Sequence, residues 1–182
     1  KENDLICVSG DLGAAYMGLQ LLEREKKIVK ETKTKPIWDN REYLLQRQLR
    51  PEARRDVVEL FESLNIIPTS MIDISDGLSS EILHICTQSE KGASIFEDKL
   101  PIHEQTKQMA EELDIHHTTA AMNGGEDYEL LFTIPLSEHY KIKDIQQISV
   151  IGHISSNTKE INLISTDGTP VPIIAQGWNA MH

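Results

Sequence analysis

The sequence has little of what marks a secreted, zinc-stabilised or membrane-spanning protein. It contains only 2 cysteines in 182 residues, and neither lies in a CxxC or Cys/His pattern that would hold zinc. Cys7 lies between Ile6 and Val8, and Cys86 follows Ile85 in an apolar helical pattern, so we expect two buried free thiols in a reducing compartment. No apolar run reaches the roughly 18 residues that a membrane span needs. No signal peptide is visible at the start, and we therefore expect a cytoplasmic protein that does not enter a membrane.

Positive charge and aromatic residues are also scarce. The chain has 18 Lys and Arg against 29 Asp and Glu, a net charge of -11, which argues against binding to a nucleic-acid backbone. An acidic protein that handles phosphates needs a cation to bridge the like charges, and Mg²⁺ is the usual one. Apolar residues make up 39% of the chain and aromatic residues 5%. The core is therefore predicted to be aliphatic, and a chain of this length can form one without disulfides.

The order of apolar patterns predicts an α+β fold in which helices cover a mostly antiparallel sheet. Strands are predicted at 5–8, 70–74, 93–96, 128–134, 149–154, 160–165 and 170–174, and helices at 14–22, 40–50, 52–64, 78–91 and 101–113. Asn40 is the expected cap of the second helix, and Gly92 the expected stop of the fourth. The final strands are expected to form a β-meander, with a tight turn at Asp167-Gly168.

The length favours a single domain of residues 1–182. Residues 23–35 are charged and rich in lysine, with only Ile28 and Val29 to bury. We interpret this stretch as a solvated helix end plus a mobile loop, giving a flexible insertion at about 23–38; a basic phosphate-binding patch is the alternative. Because the chain opens with Lys1 and enters a strand almost at once, we expect it to have been cut from a longer protein.

The first segment that could carry chemistry is Asp73-Ile74-Ser75-Asp76-Gly77. It lies where an apolar strand passes into an amphipathic helix, so both aspartates can converge on one point. Two neighbouring carboxylates suit Mg²⁺, which takes one or two of them together with phosphate oxygens, and Ser75 could donate to a phosphate. The alternative is purely structural: Asp76 caps the helix and Asp73 is solvated.

The second segment is Asn123-Gly124-Gly125-Glu126-Asp127-Tyr128-Glu129. Its glycines free the backbone, and its acids precede a strand. Either it is a turn with charged edge residues, or it presents Glu126 to a cationic or hydrogen-bonding substrate. Near the end of the chain, Trp178 follows a glycine and could stack on a flat ligand ring or anchor the terminus to the core. The pair His116-His117 and the helical His84 are expected at the surface.

These segments occur in an order that resembles the carboxyl-terminal domain of thiamine-monophosphate kinases. Further matching segments are Gly10-Asp11-Leu12-Gly13, Leu49-Arg50-Pro51 with Arg54, Gly92-Ala93-Ser94-Ile95 and Leu100-Pro101-Ile102. The resemblance extends over essentially the whole chain. The string from Gly124 to Glu129 is its specific part, because related ATP-dependent synthetases, such as aminoimidazole ribonucleotide synthetase, share the fold without that string.

The resemblance implies ATP-dependent phosphorylation of thiamine monophosphate to thiamine diphosphate, with Mg²⁺ as the metal. It implies that Asp73 and Asp76 bind Mg²⁺ and that Ser75 contacts ATP. It further implies that Glu126 and Trp178 contact the substrate. The acceptor is itself a phosphate, already ionised at neutral pH, so no residue is expected to act as a general base.

The family also has an amino-terminal domain with a Gly-Asp-Asp segment and much of the nucleotide site, and neither has a counterpart in this sequence. We therefore expect this chain alone to be inactive and the full-length parent to be a homodimer. Two alternatives stay open: a non-catalytic module that binds a ligand or partner, and another ATP-dependent synthetase of the same fold. The presence of Glu126 after the paired glycines disfavours the synthetase.

Overall fold

The computed structural model describes residues 1–38, 40–158 and 160–174. The strands within these ranges are β1 (Leu5–Ser9), β2 (Ser70–Asp73), β3 (Gly92–Phe96), β4 (Leu130–Ile134), β5 (Ile148–Ser155), β6 (Ile161–Ile164) and β7 (Pro170–Pro172). The α-helices there are α1 (Ala14–Thr32), α2 (Glu42–Leu49), α3 (Arg55–Leu64), α4 (Leu78–Ser89), α5 (Glu104–Glu112), α6 (His117–Asn123) and α7 (His139–Ile142). Short 3₁₀ turns cover Glu97–Lys99 and Leu136–Glu138. None of the helices in the described ranges has the length and apolar character needed to cross a bilayer.

All the strands join one sheet in the order β2-β4-β1-β5-β3-β6-β7. Every neighbouring pair is antiparallel except β3 and β6, which confirms the predicted α+β fold with a mostly antiparallel sheet. The turn at Asp167-Gly168 joins β6 to β7 as predicted. The predicted β-meander is wrong, because β3 lies between β5 and β6. This order depends on pairing with a strand more than 50 residues earlier in the chain, which local patterns do not report.

Strand β1 lies inside the sheet and is covered on both faces. Its side chains alternate between two cores: Ile6 and Val8 belong to a cluster under α4 and α6, while Cys7 belongs to a cluster under α3 and α7. A strand that is covered on both faces needs apolar residues at every position. Both cysteines are free and buried, as predicted. Burial raises the pKa of the Cys7 thiol to about 12, so this thiol is unreactive at neutral pH.

The first helix continues well beyond the predicted 14–22. The solvated helix end that we expected within residues 23–35 is present, since α1 ends at Thr32. Its extension stays helical because one narrow stripe is buried: Met17, Leu21 and Glu25 lie four residues apart on the same face. The buried Glu25 carboxylate has a hydrogen-bond partner, since it accepts from the Ile37 backbone N–H at 3.0 Å. The mobility expected for residues 23–38 stays a prediction.

Several element ends also differ from the prediction. Helix α2 begins at Glu42 with Arg41 at its N-cap, so Asn40 does not cap it. Helix α4 ends on Glu90 in the left-handed conformation, and Gly92 opens β3 instead of stopping the helix. Helices α3 and α5 each begin three residues later than expected, and the short α6 was not predicted. Helix α6 is rich in alanine and threonine and has no amphipathic stripe long enough to recognise.

Helices α1 and α2 approach closely at Gly18. A Cβ there would lie 2.3 Å from the Leu44 carbonyl oxygen and 2.8 Å from the Gln48 Cβ. We therefore expect Gly18→Ala to force the helices apart and to lower the free energy of unfolding by a net ~1–2 kcal/mol, after the gain in helix propensity is subtracted. Urea denaturation measures this loss. Lys27→Ala places alanine at an exposed position of the same helix and is the control, expected to stay within ~0.5 kcal/mol of the parent.

Candidate active site

The two segments singled out in the sequence lie side by side in the structure. Three backbone hydrogen bonds connect them: Glu126 N to Ser75 O at 2.7 Å, Tyr128 N to Ile74 O at 2.9 Å, and Ile74 N to Glu129 O at 2.7 Å. These bonds continue the pairing of β2 with β4 beyond the ends of both strands. The turn after β2 and the turn before β4 therefore form one joined unit.

Two glycines allow this close approach. Gly125 has φ 69°, and a Cβ on it would lie 2.8 Å from the Ser75 carbonyl oxygen. Gly77 has φ 113°, and a Cβ on it would lie 3.0 Å from the Met122 carbonyl oxygen. Each turn thus places a glycine in a conformation that other residues rarely adopt, at the point where it meets its neighbour.

Asp73 and Asp76 are exposed at the end of β2 and in the turn that follows. The structural alternative for Asp76 is wrong, because Gly77 is the N-cap of α4 and no side chain caps this helix. Glu81 anchors the turn instead: its Oε1 accepts from the backbone N–H of Asp76 at 2.9 Å and of Ser75 at 3.2 Å. Within residues 1–38, 40–158 and 160–174, neither aspartate carboxylate has a hydrogen-bond or ion-pair partner.

Two unpaired carboxylates fit a magnesium ion that is only partly held by protein. Mg²⁺ usually keeps several waters and takes one or two carboxylates together with substrate phosphates. In the part of the chain that the structure describes, no cluster of three or more His, Cys, Asp or Glu side chains could enclose a metal ion. Asp73 and Asp76 can therefore supply carboxylate ligands, while phosphate oxygens and water would complete the coordination.

A cavity of about 510 Å³ opens beside the joined turns. Its lining consists of Tyr16, Leu19, Gln48, Ser75, Asp76, Asn123, Gly124, Gly125, Glu126 and Tyr128. Three of the predicted site residues, Ser75, Asp76 and Glu126, thus face the same space. Asp73 lies at the strand end outside this lining, and Trp178 lies outside the described residues.

The side chains of residues 126–129 alternate between the surface and the interior. Glu126 and Tyr128 are exposed, whereas the acids Asp127 and Glu129 are each only 2% exposed. The Asp127 carboxylate accepts hydrogen bonds from the backbone N–H of Gly13 at 2.7 Å and of Ala15 at 3.3 Å. It therefore caps the start of α1 from a distant part of the chain. Burial raises the pKa of Asp127 to about 7, against the lowering effect of the Gly13 N–H and of Arg47.

Glu129 is the centre of a buried charge network that the sequence analysis did not predict. Its carboxylate pairs with Arg47 Nη1 at 2.9 Å, with Arg54, and with the Ser9 hydroxyl, which donates to it. A Cβ on Gly10 would lie 2.3 Å from Glu129 Oε1, so the carboxylate packs directly on this backbone. The only sequence signals were the acidic string itself and Arg54.

The histidines singled out in the sequence are not part of this network. His84 and His116 are exposed as expected, and His116 stacks on the half-buried His117.

The chain is similar to known proteins over nearly its whole length. No family model matches the chain. Thiamine-monophosphate kinase from Buchnera aphidicola is 36% identical over 170 residues, 90% of this chain and 49% of the relative. The enzyme of the same name from Salmonella typhimurium is 34% identical over 185 residues, 98% of this chain and 53% of the relative. The chain matches the carboxyl-terminal half of thiamine-monophosphate kinases. The resemblance predicted from its motifs is confirmed.

The fold gives the same result. A solved structure of AaThiL complexed with AMPPCP and TMP is 29% identical and superposes with a TM-score of 0.78, covering 98% of this chain and 51% of that one. The chain thus spans about half the length of the thiamine-monophosphate kinases that it matches. The segments that form the cavity lie within the matched region, since nearly the whole chain is covered.

Proposed function

We propose that this chain is the carboxyl-terminal half, residues 1–182, of a thiamine-monophosphate kinase whose amino-terminal domain carries the rest of the ATP site. The reaction transfers the γ-phosphoryl group of ATP to thiamine monophosphate and yields thiamine diphosphate and ADP. The observation that carries the proposal is the cavity where Ser75, Asp76 and Glu126 meet in a chain with this family match. The AaThiL complex with AMPPCP and TMP supports ATP and thiamine monophosphate as the two substrates.

Each residue has a defined task in this proposal. Asp73 and Asp76 hold Mg²⁺, which neutralises the charge of the phosphates that must approach each other. Ser75, whose hydroxyl donates to Glu81 Oε1 at 3.2 Å in this structure, contacts ATP, and Glu126 accepts a hydrogen bond from the substrate. The acceptor phosphate is already ionised, so its oxygen attacks without a general base, and catalysis consists of positioning and charge neutralisation. The contact of Glu81 with the backbone of Ser75 and Asp76 supports this by holding the turn in one geometry.

Trp178 is proposed to contact the substrate as well. The described chain ends at Ile174, which lines a second cavity of about 200 Å³ together with Asn123. Asn123 also lines the cavity of the joined turns. The resemblance to the family, in which an aromatic residue near the end of the chain contacts the substrate, supports the assignment.

A further part of the proposal concerns the surroundings of the full-length kinase. We propose a cytoplasmic homodimer that binds no nucleic acid. The net charge of -11 supports the last point, because phosphate backbones repel an acidic surface.

An assay of the full-length kinase tests the proposed function. With ATP, Mg²⁺ and thiamine monophosphate, we expect thiamine diphosphate and ADP to appear in equal amounts, measured by chromatography. The 182-residue chain alone is expected to form no thiamine diphosphate, because most of the nucleotide site lies in the other half. Turnover by this chain alone would contradict the division of the site. A full-length protein that leaves thiamine monophosphate unchanged would contradict the function.

A further inference from the structure

Glu126 does not stand free at the cavity. The Gln48 side-chain amide donates from Nε2 to Glu126 Oε2 at 2.8 Å, and both residues line the same cavity. The reverse orientation of the amide would set its carbonyl oxygen against a carboxylate, so the donor assignment follows from charge. The other carboxylate oxygen, Oε1, has no partner among the described residues.

The position of Gln48 is tightly determined from two sides. Its neighbour Arg47 donates from Nη2 to the Asp127 carbonyl oxygen at 3.2 Å and to the Asp11 carbonyl oxygen at 3.1 Å, which fastens the end of α2 to the turn that carries Glu126. On the other side, Gly18 allows α1 to approach the Gln48 Cβ. The backbone that carries the Gln48 side chain is therefore held close to Glu126.

Stability alone does not explain a glutamine at position 48. Its Oε1 is buried and finds no hydrogen-bond partner within the described residues, and such an unpaired acceptor costs free energy that an apolar side chain of the same size avoids. The cost is explained when the other polar atom of the side chain, Nε2, is needed for function. The only polar contact of the side chain in the described structure is Glu126.

We propose that Gln48 is a positioning residue for substrate binding. It fixes one oxygen of Glu126 and turns the other toward the cavity, where it accepts from an N–H donor of the bound substrate. The aminopyrimidine of thiamine monophosphate carries such donors. This inference rests on the proposed function and adds to it a residue on α2 that acts only through Glu126.

A double-mutant cycle in the full-length kinase tests the proposal. The variants are Gln48→Met, Glu126→Ala and the double variant, with Gln46→Met as a matched control on an exposed position of the same helix. The measurements are KM and kcat, the Kd of thiamine monophosphate by titration calorimetry, and the melting temperature. Calorimetry measures Kd without turnover, so the cycle can be completed even when Glu126→Ala has too little activity for kinetics.

Gln48→Met is expected to raise KM and Kd for thiamine monophosphate about 10-fold, the value of one hydrogen bond to a charged group, with a much smaller change in kcat. In the Glu126→Ala background the same change is expected to alter Kd less than about 2-fold, since the contact it removes is already gone. The melting temperature of Gln48→Met is expected to stay or rise. Gln46→Met should leave every quantity unchanged.

Two results would overturn the inference while the wild type is active: a Gln48→Met effect on Kd that is equal in both backgrounds, or a lowered melting temperature with Kd unchanged. The first shows an action that does not pass through Glu126, and the second shows a structural role. A wild type that forms no thiamine diphosphate overturns the proposed function itself, so the two failures are distinguishable.

Discussion

Asp73→Asn or Asp76→Asn in the full-length kinase will lower kcat for thiamine monophosphate by at least about 100-fold, because charge neutralisation by a bound metal is worth several kcal/mol. Asparagine keeps the size of the side chain and removes its charge. Neither carboxylate has a structural partner among the described residues, and no side chain caps α4, so the fold should tolerate both changes. Steady-state kinetics over a range of Mg²⁺ concentrations measures the loss and should also show a higher Mg²⁺ requirement.

Asp144→Asn is the matched control for this experiment. The Asp144 side chain is 87% exposed and lies 3.9 Å from Lys143 in a surface pair, which contributes little to stability. Its kcat and Mg²⁺ dependence should equal those of the parent. If both site variants kept near-normal turnover, the proposed metal role of the two aspartates would be wrong even if the kinase assignment held.

Glu129→Ala will lower the free energy of unfolding by about 3–5 kcal/mol. Its removal leaves the guanidinium groups of Arg47 and Arg54, only 16% and 13% exposed, without the carboxylate that both contact. Breaking a buried ion pair from one side is costly. Among the described residues, Arg47 then keeps only the longer ion pair with Asp127 at 3.9 Å, whereas Arg54 keeps its pair with Asp56 at 2.9 Å. It also empties the space beside Gly10, where the carboxylate packs. Urea denaturation at neutral pH measures the effect.

Two further variants separate the causes of this loss. Glu129→Gln keeps the size and part of the hydrogen bonding, so its loss should be smaller than that of Glu129→Ala. Glu59→Ala removes an exposed glutamate whose one ion pair among the described residues is with Arg55 at 3.6 Å, and it should change stability by less than ~0.5 kcal/mol. A Glu129→Ala protein as stable as the Glu59→Ala protein would show that the charge network contributes nothing.

Much of the fold could be predicted from local patterns. The apolar runs that became β1, β2 and β5 were recognisable, as were the amphipathic helices α3 and α4 and the turn at Asp167-Gly168. Each of these is determined by residues close together in the chain. The strand order was not predictable in the same way, since the position of β3 between β5 and β6 depends on the total packing of both sheet faces.

The candidate site divides along the same line. Asp73, Ser75, Asp76 and Glu126 could be named from two short motifs, and the structure brings three of them to one cavity. The different roles of the three acids within the second motif could not be predicted from the sequence. Asp127 is buried because it caps helix α1, whose first residue, Ala14, lies 113 residues before it in the chain. Glu129 is buried because Arg47 on α2 and Arg54 at the N-cap of α3 reach it.

The fold class and the two motifs that match thiamine-monophosphate kinases could be identified from residue types at short spacing. Which acids face the cavity and which hold the fold depends on contacts between distant parts of the chain. Asp127 and Glu129 carry the same carboxyl group as Glu126 and lie within three residues of it. What separates them is the presence of buried donors: backbone N–H groups and guanidinium groups surround two of these acids, whereas Glu126 meets Gln48 and the open cavity.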